Sequence, residues 1–268
     1  MKTITLISLF SIALSNLYVN AQNPVDIGEQ WIFLGDSETG GRANEPKAES
    51  QVIAFNNIWN QTFSVSLSPL KTNGVSGRSL QGTYDYYLSM TNGGDATLVH
   101  FQESGSQNST QDTPSKFVAN FDAMVRNIAA VSPNAVISTE TAYSFEMPIG
   151  GNRDWTQHNI QMRAKIAELA NERIIVHLAE VDKYIKELVA QKRVQLGQDA
   201  GQQIVWGDTD NSIARHYTGL GNLMIALGMF DALGYDVNTL DLSDIPNDQV
   251  SADDKQLCIS IINCKNRS

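Results

Sequence analysis

Cysteine is nearly missing from this chain: Cys258 and Cys264 are the only two, and both lie within the last eleven residues. That leaves no disulfide framework beyond one bridge closing a small terminal loop, with an unpaired tail as the alternative. A metal centre is not expected there, because the spacing does not suit two ligands on one helix face and no histidine lies near. Basic charge is also short, with 19 Lys and Arg against 29 Asp and Glu and a formal net charge of −10. No basic stripe is visible, which argues against nucleic acid or an anionic membrane as partner. The acidity serves solubility and says nothing specific about a substrate. Internal repeats and Pro- or Ser-rich linkers are absent too, so residues 22–268 are expected to form one domain with a short C-terminal tail.

Long apolar runs are missing after the first twenty-one residues, where nothing approaches the roughly eighteen needed to span a bilayer. Those first residues carry a positive start at Lys2, an apolar core from Ile4 to Leu14 and a small-residue end at Val19-Asn20-Ala21. This is the pattern of a cleaved export signal, and no cysteine follows it to take a lipid. A secreted or periplasmic product without a membrane anchor is the expectation.

The remainder alternates strand-like with helix-like segments, the mark of an α/β fold with a parallel sheet and crossover helices. Trp31-Ile32-Phe33-Leu34 and Thr97-Leu98-Val99-His100-Phe101 read as strands, as do Ala135-Val136-Ile137-Ser138 and Ile174-Ile175-Val176-His177-Leu178. Phe117, Phe121, Met124, Val125 and Ile128 recur at helical spacing. Helices are further predicted from Trp155 to Asn171, from Val181 to Val194, and from Thr218 to Leu233 with Gly234 as its C′ residue. Ile204-Val205-Trp206 reads as a short strand or a strand-like approach to the segment carrying His216.

The first strand empties into Gly35-Asp36-Ser37-Glu38-Thr39-Gly40-Gly41-Arg42. A serine there stands at the carboxyl end of a strand, where α/β sheets place their chemistry, and near helix amides that can face an oxyanion. A plain β-turn is the alternative for Gly-Asp-Ser. A hydrolytic serine also needs a base, oxyanion donors and a group that orients the base.

With these residues in view, the chain resembles the SGNH, or GDSL-type, hydrolases, three-layer α/β/α flavodoxin-like esterases with a parallel central sheet. Its first block is similar to that of the carbohydrate-acetylesterase branch, Gly-Gln-Ser-Asn-x-x-Gly-Arg, of which Gly35, Ser37, Gly41 and Arg42 are kept at the same spacing. The resemblance implies Ser37 as nucleophile. It implies a second block at Asn73-Gly74-Val75-Ser76-Gly77-Arg78-Ser79, with the Gly77 amide facing the oxyanion. For the third block two registers compete: Gly-x-Asn selects Gln107, or Asn108 with one residue inserted, and Gln-Gly-Glu-Ser selects Gln102. Any of these amides can donate the required N–H, and Asn108 is preferred.

His216, followed five residues later by Gly221 at the start of a predicted helix, matches the block that carries the base. His100 and His177 read instead as core or edge residues of strands, and His158 as part of a polar helix face. The departure from the pattern is the acid. Ile213 stands three residues before His216, where the family has aspartate; Asp210 or Asp208 is the candidate, with a Ser-His dyad as the alternative. The resemblance implies a secreted ester hydrolase, needing neither cofactor nor metal, that removes O-acetyl groups from carbohydrate. A lipase or thioesterase of the same superfamily is the nearest alternative, and a non-catalytic carbohydrate-binding or interaction protein on the same fold is the reading from another class. Tyr84, Tyr86, Tyr87, Tyr143, Trp155 and Trp206 are either sugar-stacking faces or core.

Overall fold

Trp31–Gly35 forms strand β1 with all five residues buried, the state of a strand covered on both faces of a parallel sheet. The computed structural model describes residues 23–35, 39, 50–67, 71–74, 80–89, 93–102, 113–144, 154–206 and 217–265. Among these, helix α1 (Gln51–Phe63) leads to β2 (Lys71–Gly74), α2 (Leu80–Leu88) to β3 (Leu98–Phe101), and α3 (Pro114–Val131) to β4 (Val136–Glu140). Helix α4 (Thr156–Asn171) precedes β5 (Val176–Ala179), and α5 (Val181–Leu196), α6 (Gln198–Trp206), α7 (Gly219–Ala232) and α8 (Ala252–Lys265) follow.

All strand pairs are parallel and their order is β2-β1-β3-β4-β5. This is the flavodoxin-like doubly wound order, in which the chain reverses its winding between β1 and β3. Side chains alternate across the sheet, so Trp31, Phe33 and Leu98 pack with α1, α5, α7 and α8, while Ile32, Leu34, Val99 and Phe101 pack with α2, α3 and α4. The three-layer α/β/α sandwich expected from the sequence is thus present. The five apolar residues predicted to share a face of α3 are all buried, and Pro114 after the Thr113 cap starts that helix.

Helix α7 has no polar side. Every residue from Leu220 to Phe230 is buried, as befits a helix enclosed by α1, α5, α6, α8 and the sheet. Its Met224 and Met229 fill core space. Its C-terminus lies at the amino edge of the sheet, because Leu233 O accepts from Val25 N at 3.0 Å and Tyr235 Oη donates to Val25 O at 2.8 Å, just ahead of β1. Its N-terminus therefore lies toward the carboxyl edge.

Two expectations need correction. Ile204-Val205-Trp206 is the end of helix α6, not a strand. A short apolar run does not by itself separate the two states, and Gly201 lets α6 approach the Lys192-Arg193 backbone of α5 too closely for any Cβ. The segment expected as a short tail holds α8, which buries Cys258, Ile261 and Ile262 in the core and ties to α5 through the buried Lys192–Asp254 ion pair.

Cys258 and Cys264 share α8, six residues apart. That is about 9 Å along a helix axis, beyond the reach of a disulfide, and both thiols are free. Burial pushes the Cys258 thiol well above its ordinary value, whereas Cys264 is exposed. A thiol reagent is expected to modify one cysteine per native chain and two per unfolded chain. Mass mapping after native labelling should find the adduct on Cys264, and labelling of Cys258 at an equal rate would contradict this packing.

Candidate functional site

At the carboxyl edge, Gly35, Gly74 and Gln102 end or follow β1, β2 and β3, and the start of α7 lies toward the same edge. The gap between β1 and β3 is the point where the winding reverses, the place at which such sheets open a crevice. Of the residues singled out from the sequence, Ser37, Gly77, Gln107, Asn108, Asp208, Asp210 and His216 lie outside the described residues. Gln102 is described, together with the flanks of the others.

Gln102 follows β3 directly. Its backbone N–H donates to Leu34 O at 2.8 Å, which continues the β1–β3 pairing by one residue and sets Gln102 beside Gly35. Its side chain is 3% exposed. Thr39, wholly buried, donates from Oγ1 to Gln102 Oε1 at 2.5 Å. Gly35 has a definite reason to be glycine: a Cβ there would run into Thr39 Oγ1 and lie 2.8 Å from Gln102 Cβ.

The register places Ser138 of β4 across from His100, and its continuation by one residue brings Glu140 level with Gln102. All four alternate onto the α1 side of the sheet. His100 Nδ1 lies 3.1 Å from Ser138 Oγ and its Nε2 lies 3.5 Å from Glu140 Oε2. Gln51, at the start of α1, donates from Nε2 to the same Glu140 oxygen at 3.3 Å. Serine, imidazole and carboxylate in this sequence have the outline of a catalytic triad, yet Ser138 and His100 are both fully buried and the imidazole stands against the Phe33 ring at 5.7 Å. No substrate can reach that hydroxyl. The cluster is a buried polar layer near the carboxyl ends of β3 and β4, in line with the core or edge role expected for His100.

The segment after β4 is pinned. Asn159 accepts from Ala142 N at 3.1 Å and donates to Ala142 O at 2.7 Å, in the manner of a paired strand. Thr141 Oγ1 donates to Asp182 at 2.7 Å, and Arg163 holds Asp182 and Glu180 together. Ser144 Oγ accepts from Trp155 N at 2.7 Å.

At the start of α7, Thr218 caps the helix and donates to Ile204 O at 2.5 Å, while its N–H donates to Val205 O at 3.0 Å. Gly221 has a packing reason: a Cβ would meet Val205 O and lie 2.8 Å from the Tyr217 ring. The glycine five residues after His216 therefore lets α6 dock on the first turn of α7 and fixes Tyr217, the neighbour of that histidine.

Among the aromatic candidates, Tyr87 and Trp155 are buried and belong to the core. Tyr84 and Tyr86 pack against the cluster under α2, and Tyr143 is half-buried against the opposite one; the Trp206 side chain lies outside what is described. His158 is buried between Trp155 and Phe117, with ring centroids at 4.8 and 5.4 Å, not on a polar face as the sequence suggested. His177 is half-buried, its Nδ1 3.1 Å from Ala232 O, and burial lowers its proton affinity. Sequence reasoning passed over Thr39, Gln51 and Glu140. The signal available was polarity at the ends of otherwise apolar segments.

No protein-family model matches the chain, and no curated protein matches it. Solved structures do. A protein of Parabacteroides merdae assigned as a GDSL-like lipase is 13% identical over 77% of this chain and 96% of its own, with a TM-score of 0.54. A family 3 carbohydrate esterase of Clostridium thermocellum is 14% identical over 78% and 95%, at 0.53. The acetylxylan esterase Axe2 of Geobacillus stearothermophilus is 14% identical over 78% and 95%, at 0.54. Likeness at such identities concerns architecture, not activity: the chain has the three-layer fold of the SGNH, or GDSL-type, hydrolases.

Proposed function

We propose that this chain is an ester hydrolase of the SGNH type, with Ser37 as nucleophile and His216 as base. The observation that carries the reading is that β1, β2 and β3 end side by side at the carboxyl edge where the winding reverses, with α7 starting toward the same edge. Each of the three sequence blocks expected to supply the nucleophile and the oxyanion donors leaves the sheet there. Chain geometry supports it further, because two residues span at most about 7 Å and Ser37 is two residues from Gly35. His216 adjoins Tyr217, which Gly221 and the core hold.

In this reading Ser37 Oγ attacks the ester carbonyl while His216 takes its proton and then gives it to the departing alcohol. Water, deprotonated by the same imidazole, cleaves the acyl-enzyme and restores the serine. The oxyanion is held by the Ser37 and Gly77 amides and the Asn108 side chain, with Gln107 or Gln102 as the alternative amide; one such donor contributes about 3 kcal/mol to lowering the barrier. Asp210, or Asp208, orients the imidazole across the gap left by Ile213; a dyad dispenses with both. The substrate class is O-acetylated carbohydrate, supported by the first-block resemblance and by the names of two solved neighbours, an acetylxylan esterase and a carbohydrate esterase. The N-terminal pattern supports export to the periplasm or the medium. Among the described residues no helix is long and apolar enough to cross a membrane.

Ile213 favours one other reading, a binding protein that keeps the fold without the chemistry. A fluorophosphonate probe separates the two, since it reacts with an activated hydroxyl and spares an ordinary one. Stoichiometric labelling is expected, on the peptide containing Ser37 and lost in His216→Ala. Absence of labelling at high reagent concentration would favour the binding protein.

A further inference from the structure

We propose that Thr39 and Gln102 form a strut that positions the turn bearing the nucleophile, an inference that rests on the hydrolase reading above. Ser37 has a described neighbour on each side two residues away, and both are fixed. Gly35 is held within the sheet, paired to β2 and flanked by Gln102 through the bond from Gln102 N to Leu34 O. Thr39, wholly buried, is held by its hydroxyl to Gln102 Oε1 at 2.5 Å. The two anchors also touch each other's space: Thr39 Oγ1 occupies the position a Gly35 side chain would take. Gly35 and Thr39 are thereby fastened together through one buried amide.

The strut spans 63 residues of sequence and joins the strands on either side of the reversal point, so it ties the nucleophile to the frame of β3 as well as to β1. Glu140 lies level with Gln102 when the β3–β4 register is continued by one residue, above the His100 layer. Attack by a serine demands placement to within a fraction of an ångström, and a shift of about 1 Å costs on the order of 100-fold in rate. The strut supplies that placement without meeting the substrate, so Thr39 is a positioning residue. Gln102 accordingly acts through its Oε1 on the turn, a task distinct from donating to an oxyanion.

The test is Thr39→Val, which keeps the shape and removes the donor, compared with Thr39→Ser, which keeps the donor. Hydrolysis of 4-nitrophenyl acetate is measured with kcat expressed per serine titrated by fluorophosphonate, so that loss of folded protein cannot lower it. Thr39→Val is expected to lower kcat about 10- to 100-fold with KM within twofold, and Thr39→Ser to recover most of it. Wild-type kcat in Thr39→Val overturns the strut alone. Should that variant lose its cooperative thermal transition, Thr39→Ala, which also removes the donor, is expected to show the same fall, and wild-type kcat there overturns the strut. Wild-type protein without Ser37-dependent hydrolysis overturns the hydrolase reading and the strut with it.

Discussion

Ser37→Ala is expected to lose at least about 1,000-fold in turnover of a small acetyl ester while its unfolding transition stays in place. The size follows from what remains when a nucleophile is deleted: the oxyanion donors and binding interactions persist and sustain only a residual rate, and measured losses for such deletions reach about a million-fold. Stability is spared because the change removes one oxygen and no buried apolar group. Initial rates on 4-nitrophenyl acetate, read beside a thermal melt by circular dichroism, check both halves. Activity within tenfold of wild type would remove Ser37 from the mechanism. The same assay separates triad from dyad. Asp210→Asn or Asp208→Asn should fall far below wild type if that carboxylate orients His216, by up to about 10⁴-fold, and both should stay near it if a main-chain carbonyl holds the ring.

The parts of this architecture legible in the sequence are those set by one-dimensional periodicity. β1 and β3 read as strands because burial on both faces demands apolar residues in succession, and α3 read as a helix because its buried face repeats at helical spacing. Elements shaped by their neighbours were harder. β2, Lys-Thr-Asn-Gly, carries no apolar pattern and is a strand because it pairs with β1. α6 was read as strand-like because Ile204 and Val205 are β-branched, a preference that its docking on α5 overrides. α8 crowds Ile259, Ile261 and Ile262 close together without a clear stripe. At the candidate site, the run through Gly35 marked the end of β1. The Thr39–Gln102 contact stayed hidden because it joins residues 63 positions apart, each beyond the end of its strand, and no local pattern encodes such a distance. Glu140 was hidden for a related reason: at the end of an apolar strand it looks like a boundary residue, and only the sheet register turns it inward beside His100 and Gln51.

That inward side chain gives His100→Leu a large expected cost in stability. Glu140 is 3% exposed, and among the described residues it lies 3.5 Å from His100 and 3.3 Å from Gln51. Leucine fills the space of the imidazole against Phe33 but leaves the carboxyl group with one amide partner, and it strands the Ser138 hydroxyl as well. A buried polar group left without its partner costs about 1–3 kcal/mol, whereas changing both partners together can be nearly neutral. His100→Leu is therefore expected to lower the urea midpoint severely, Glu140→Gln much less, and the double variant to regain a large part of what the first loses. A coupling of about 2 kcal/mol or more in that cycle is the signature of a direct interaction. Strict additivity, or a single-variant cost under about 1 kcal/mol, would mean that water reaches Glu140. The polar layer would then be open to solvent and not sealed. The argument turns on solvent access, because the same three residue types that catalyse when exposed can only support when sealed, and Ser138 is sealed.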